Sequence, residues 1–211
     1  MLCLALDAST PRVAAALVRD GVPLASASLP APPRRSGMLF DVVQSLLDET
    51  ALAFRDLASI AVGLGPGSYT GLRVSLVAAR GWALPLRIPV LAYPSPASLA
   101  ASVFAAHPDA DSTAFVGHAR RGFRWTARFR RAAPDAPLPA PDPDFSVVPD
   151  SSPLDFAPSL PPDTPPDPVW LARLAFWNAP SFPLVPLYLN AAVNTPPRFA
   201  PDGSPLAPSA S

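Results

Sequence analysis

The sequence predicts an α/β fold in which a mixed sheet is flanked by helices. Three observations carry that reading. The first thirty residues hold three short apolar runs, and Asp20-Gly21, a two-residue hairpin signal, joins the second to the third. Over residues 37–52 the apolar spacing changes from strand-like to helical. From 59 to 106 strand-like and helix-like segments alternate, the order that builds an α/β layer.

Each element has its own signal. Residues 2–7 are an apolar run ending at Asp7. Residues 12–19 and 22–29 are the second and third strands, the latter with Val22, Leu24, Ala27 and Leu29 apolar. Residues 30–36 form a Pro- and Arg-rich loop. Leu39, Val42, Val43, Leu46 and Leu47 recur at helical spacing. Residues 59–64 read as a buried strand. The Gly65-Pro66-Gly67 turn then launches a helix over 70–84, which Pro85 is expected to stop. A short strand over 88–91 precedes a helix over 95–106, with Pro96 tolerated in its first turn.

Beyond residue 107 the character changes. Residues 113–117 and 122–130 read as two strands around Arg120-Arg121-Gly122. Residues 132–168 are so rich in Pro, Asp, Ala and Ser that an extended, irregular and partly mobile path without regular sheet is expected. A short helix over 169–177 and an apolar segment over 184–189 follow. The expected organisation is an N-terminal lobe (1–106), a reduced, Pro-rich C-terminal lobe (107–195) and a disordered tail (196–211).

Composition narrows the function. The 16 basic and 16 acidic residues cancel, which argues against holding nucleic acid by bulk electrostatics. Every basic residue is Arg and Glu49 is the one Glu. With 32 Pro this reads as a coding bias, not a phosphate-binding adaptation. Cys3 is alone, so neither a disulfide framework nor a cysteine zinc site is expected. The first residues read as a strand and not a signal peptide, and no apolar stretch reaches the ~20 residues of a membrane span. A soluble, cytoplasmic chain is expected.

Residues 63–73, Gly-Leu-Gly-Pro-Gly-Ser-Tyr-Thr-Gly-Leu-Arg, mark a strand–turn–helix junction. Gly65 and Gly67 permit backbone angles closed to other residues, and Ser68 or Thr70 is placed to cap the helix. Free N–H groups at a helix start favour an anion. Asp7, Ser9, Thr10, Gly65, Gly67 and Ser68 are therefore the candidate residues for an anion or nucleotide, ATP or ADP with magnesium. The competing reading is a turn chosen for close packing, with Asp7 capping its own turn through Ser9 or Thr10. The Lys of a Walker loop is missing. A metallopeptidase is excluded by its ligands: His107 and His118 are the only histidines and form no H-E-x-x-H pattern. No residue is assigned a catalytic or metal-binding role.

Four segments together resemble the TsaB (YeaZ) family, whose domain is Gcp-like, or peptidase M22-like. Leu4-Ala5-Leu6-Asp7-Ala8-Ser9-Thr10 resembles its first strand end. Residues 63–73 are similar to its GxGPGSFTGLR signature, with Tyr69 for Phe. Phe115-Val116-Gly117-His118-Ala119-Arg120-Arg121 resembles its vxxDARR strand, and Pro186-Leu187-Tyr188-Leu189 its PxYLR segment. The resemblance implies an actin-like ATPase (RNase H-like) fold. It implies a non-catalytic subunit that pairs with its paralogue TsaD, joined by the ATPase TsaE. TsaD threonylcarbamoylates the adenosine next to the tRNA anticodon, and the subunit would meet tRNA only indirectly. Alone, such a subunit could pair with a second copy. The helices over 37–52 and 70–84 would face TsaD, which makes Leu39, Val43, Leu46, Leu72, Leu76 and Val77 the expected interface. The alternatives are an actin-like ATPase or kinase-type enzyme built on Asp7, and a diverged paralogue scaffolding another complex.

Overall fold

A computed structural model describes residues 1–31, 37–119, 121–133, 136–140 and 142–189. Arg34, Arg35, Arg120, Asn190 and the tail over 196–211 lie outside the described residues.

The first sheet contains β1 (Leu2–Asp7), β2 (Arg12–Arg19), β3 (Val22–Pro30), β4 (Ser59–Gly63) and β5 (Val90–Tyr93). Its order is β3-β2-β1-β4-β5. The hairpins pair β1 with β2 and β2 with β3 antiparallel, whereas β4 and β5 join in parallel. Parallel pairing needs crossovers, supplied by α1 (Met38–Thr50) and α2 (Tyr69–Leu86). This mixed sheet is the RNase H-like arrangement of actin-like proteins.

β1 is buried along its whole length, and its side chains alternate between two cores. Leu2, Leu4 and Leu6 meet Leu39, Val43, Leu46 and Leu47 of α1 and Leu76, Ala79 and Ala83 of α2. Cys3 and Ala5, with Ala16 and Ala61 beside them, face the other way. Their small size lets α3 (Ser95–Ala106) and α4 (Pro168–Phe176) settle close to the sheet, through Ala97, Ala100, Leu171 and Leu174.

A second sheet follows: β6 (Ser112–Ala119), β7 (Phe123–Ala133), β8 (Ala136–Pro139) and β9 (Asp144–Pro149). Phe115, Ala127 and Phe129 join the same core as α3 and α4. The expectation of no regular sheet over 132–168 is corrected here. β7 runs on to Ala133, and β9 pairs with β7 from Phe123↔Pro149 to Arg128↔Asp144. Pro149 stands at the strand end, where a missing N–H costs no central ladder bond. Residues 150–166 are irregular, yet they run beside β6: Ser159 donates its N–H to the Ala114 carbonyl and Asp163 to that of Val116.

α2 is also longer than expected. It continues through Pro85 to Leu86 and ends at Arg87 in the left-handed region. Pro85 falls in the last turn, so only the Gly81 carbonyl loses its helical donor. No described helix is long and apolar enough to cross a membrane.

Candidate functional site

Asp7, Gly63 and Ser95 converge at the carboxyl ends of β1, β4 and β5, the edge where α/β sheets gather their functional groups. Asp7 is 1% exposed. Its Oδ1 accepts from the Ser9 N–H at 2.8 Å and the Ser9 hydroxyl at 2.6 Å. Its Oδ2 has no partner among the described residues, although Ser95 Oγ stands nearby. Burial pushes the carboxyl above the ordinary carboxylate range, against the downward pull of Ser9 and Ser95.

The space is made by absent side chains. A Cβ on Gly63 would sit 1.8 Å from Asp7 Oδ2. Gly65 adopts φ +85°, open to glycine at little cost, and exchanges hydrogen bonds with Ser95: Gly65 N–H to Ser95 Oγ at 2.9 Å and Ser95 N–H to the Gly65 carbonyl at 2.8 Å. Gly67 and Gly71 press against the loop after β1. Their Cβ atoms would lie 2.0 Å from the Ser9 carbonyl oxygen and 1.9 Å from that of Ala8.

This closeness decides what the turn offers an anion. Ser68 gives its N–H to the Ser9 carbonyl, and its hydroxyl caps the helix by accepting from Gly71 N–H at 3.2 Å. Leu72 donates to the Ser68 carbonyl. Tyr69 and Thr70, the first residues of α2, are exposed. Backbone of the chain itself fills the concavity between Ser9 and the turn.

Five of the six candidate anion-site residues thus come together: Asp7, Ser9, Gly65, Gly67 and Ser68. Thr10 stands half-buried outside their hydrogen bonds. Sequence reasoning missed Ser95, whose only signal was its place just after a strand that proves parallel to β1 and β4. No three His, Cys, Asp or Glu side chains converge as a metal site among the described residues.

The expected interface is corrected by burial. Leu39, Val43, Leu46, Leu72 and Leu76 are at most 6% exposed and fill the core of their own chain, because an amphipathic helix first covers its own sheet. Val77, at 71%, does face outward. Around it lie residues that were not foreseen: Phe40 at 47% and Leu84 at 80%. Half-buried Trp82 meets Phe40 edge-on at 5.4 Å and Phe54 at 5.0 Å. Between Val77 and Leu84 sits exposed Gly81, where a Cβ would meet nothing within 4 Å. A glycine inside a helix costs about 1 kcal/mol relative to alanine, and no contact among the described residues calls for one. At the start of α2, Tyr69 stacks on Tyr188 at 5.3 Å and Arg73 lies 4.9 Å over the Tyr69 ring.

The sheet order and the glycine-built junction agree with the actin-like, Gcp-type fold that the resemblance implies. A family profile described as tRNA N6-adenosine threonylcarbamoyltransferase, TsaD, matches residues 35–131. An uncharacterized protein of Mycobacterium tuberculosis is 31% identical over 97% of this chain and 94% of its own length. The tRNA threonylcarbamoyladenosine biosynthesis protein TsaB of Bacillus subtilis is 36% identical over 48% of this chain and 44% of its own. The structure of YeaZ from Pseudomonas aeruginosa matches with a TM-score of 0.72, at 25% identity, over 89% of this chain and 99% of that one. The chain belongs to the TsaB/YeaZ-like family.

Proposed function

We propose that the chain serves tRNA threonylcarbamoyladenosine biosynthesis as a non-catalytic subunit that docks a TsaD-family protein through the outer face of α1 and α2. Gly81 is the observation that carries this reading. It sits exposed on α2 between Val77 and Leu84, its Cβ position is empty, and Pro85 has no N–H to give its carbonyl. A bare stretch of helix ringed by Phe40, Val77 and Leu84 suits the close approach of another helix. The relatives' names supply the process. TsaE would join the assembled pair, and tRNA would be held mainly by the partner.

Turnover of ATP forms no part of this reading. Asp7 is enclosed and hydrogen-bonded to its own loop, and Gly67 and Gly71 lie against the backbone where a phosphate would have to enter.

The test is affinity capture of the TsaD-family protein of the same genome by the tagged chain. Wild type is expected to retain it. Gly81→Arg, which leaves the core untouched, is expected to lose it. Failure of the wild type to bind overturns the proposal, and undiminished binding by a folded Gly81→Arg overturns the face. Calorimetry with ATP and Mg²⁺ addresses the enzymatic alternative, for which heat and hydrolysis lost in Asp7→Ala would speak.

A further inference from the structure

The two flanks of the α1–α2 face carry opposite charge. Arg73 and Arg80, seven residues apart and exposed, line one edge of α2, and exposed Arg87 follows at its C-cap. Asp41 and Asp48, also seven apart, and Glu49 are exposed on α1. The contact between Phe40 and Trp82 marks where the helices meet. At 100° per residue, Arg73 and Arg80 stand about half a turn round α2 from Trp82, and Asp48 about a quarter turn round α1 from Phe40. The apolar strip of Phe40, Trp82, Val77, Gly81 and Leu84 therefore has an acidic flank on one side and a basic flank on the other.

Arg73 donates to the Tyr69 hydroxyl at 2.7 Å. Arg80, Arg87 and Glu49 form no ion pair with any described residue. Asp48 and Glu49 lie in the last turn of α1, where the helix dipole disfavours carboxylates. Asp48 instead accepts a hydrogen bond from Gln44 at 2.8 Å.

We infer that this face selects its partner by charge polarity: the docking protein sets carboxylates opposite Arg73, Arg80 and Arg87 and cationic side chains opposite Asp48 and Glu49. The inference rests on the partner-subunit reading and adds the chemistry by which the partner is chosen. Apolar contact at the centre holds the complex, while rim charges steer the encounter and reject surfaces of the wrong polarity. A second copy of the chain is the competing occupant. A two-fold axis along the helices would set its α1 against α2 and satisfy the same rule.

The experiment measures association of the full chain with the TsaD-family protein of the same genome at 50 mM and 500 mM NaCl. It uses wild type, Arg80→Glu and Asp48→Lys, each checked for an unchanged melting temperature. At low salt both variants are expected to associate on the order of 10-fold more slowly than wild type, and at high salt the three should converge within about 2-fold. Variants as fast as a binding wild type at 50 mM overturn the inference alone. A wild type that does not bind overturns the functional reading and this inference with it. Sedimentation of the same proteins examines the second copy. If Arg80→Glu and Asp48→Lys each fail to self-associate, pair with one another when mixed, and still bind the TsaD-family protein at the wild-type rate, the face belongs to the homodimer and the inference falls.

Discussion

Ser68 donates its backbone N–H to the carbonyl of Ser9 at 2.6 Å, tying the start of α2 to the loop that leaves β1. That bond exists because Gly67 and Gly71 carry no side chains. The Cβ of an alanine at 71 would lie 1.9 Å from the Ala8 carbonyl oxygen, which is backbone and has nowhere to turn. Gly71→Ala is expected to cost about 3 kcal/mol, roughly 6–12 °C in melting temperature. Gly81→Ala, with open space at its Cβ, should leave the melting temperature unchanged or raise it slightly. Thermal scans of the two variants side by side check the contrast. Equal melting temperatures would remove the close-packing account of the turn.

The Asp7 carboxyl gives stability a pH dependence of unusual sign. Burial raises its pKa, so the folded chain keeps this proton at pH values where the unfolded chain has released it. The contribution is fully present below the ordinary carboxylate pKa and declines as pH rises through the folded value. Asp7→Asn keeps the shape, can still accept from Ser9 and never ionises. It should therefore melt several degrees above wild type at pH 8 and lose that advantage near pH 4. Melting curves from pH 4 to 9 would show it, and a variant less stable than wild type at pH 8 would refute the assignment.

Much of the fold was legible because its periodicities are strong. The apolar spacing of Leu39, Val42, Val43, Leu46 and Leu47 allows only a helix, and Asp20-Gly21 marks the β2–β3 hairpin. Spacing says which side of a helix is apolar, but not whether sheet or partner covers it, so it leaves open the interface that the resemblance implies for Leu39, Val43, Leu46, Leu72 and Leu76. The outward residues Phe40, Val77 and Leu84 stand next in sequence to buried apolar residues, so the spacing does not single them out as a separate face. Ser95 was hidden because its neighbours in space, Asp7 and Gly63, are brought to it only by the strand order. β9 was hidden by the prolines around it, which suggest an irregular path until Pro149 is seen to close the strand.

Arg131 ties the end of α3 to β7. Its Nε donates to the Ala110 carbonyl at 2.9 Å, and one terminal nitrogen donates to the carbonyls of Phe104 at 2.9 Å and His107 at 2.8 Å. The guanidinium also lies 4.7 Å over the Phe104 ring. The Phe104 and His107 carbonyls belong to the end of α3, where a cation is favoured. Arg131→Ala is expected to cost about 2–3 kcal/mol, roughly 4–12 °C. Arg131→Lys should recover only part, since an ammonium on a flexible stem lacks the planar fork that spans all three carbonyls. Differential scanning calorimetry decides this, and full recovery by lysine would show that charge alone matters.

Leu76 and Val77 are adjacent in sequence and opposite in environment, one 6% and the other 71% exposed. Leu76→Asp would bury a carboxylate among Leu4, Leu6 and Ile60, with no cation among these neighbours, and should unfold the chain or cost more than about 3 kcal/mol. Val77→Asp changes a side chain that points outward, so its effect on stability should stay within about 0.5 kcal/mol. If the outer face of α2 is the docking surface, this second variant should weaken capture of the TsaD-family protein at least 10-fold, because it puts a charge into the apolar strip beside Gly81. Circular dichroism reports the folding of each variant and titration calorimetry the binding. A folded Val77→Asp chain that binds as tightly as wild type would move the docking surface off α2, to a face that Leu76 and Val77 do not report on.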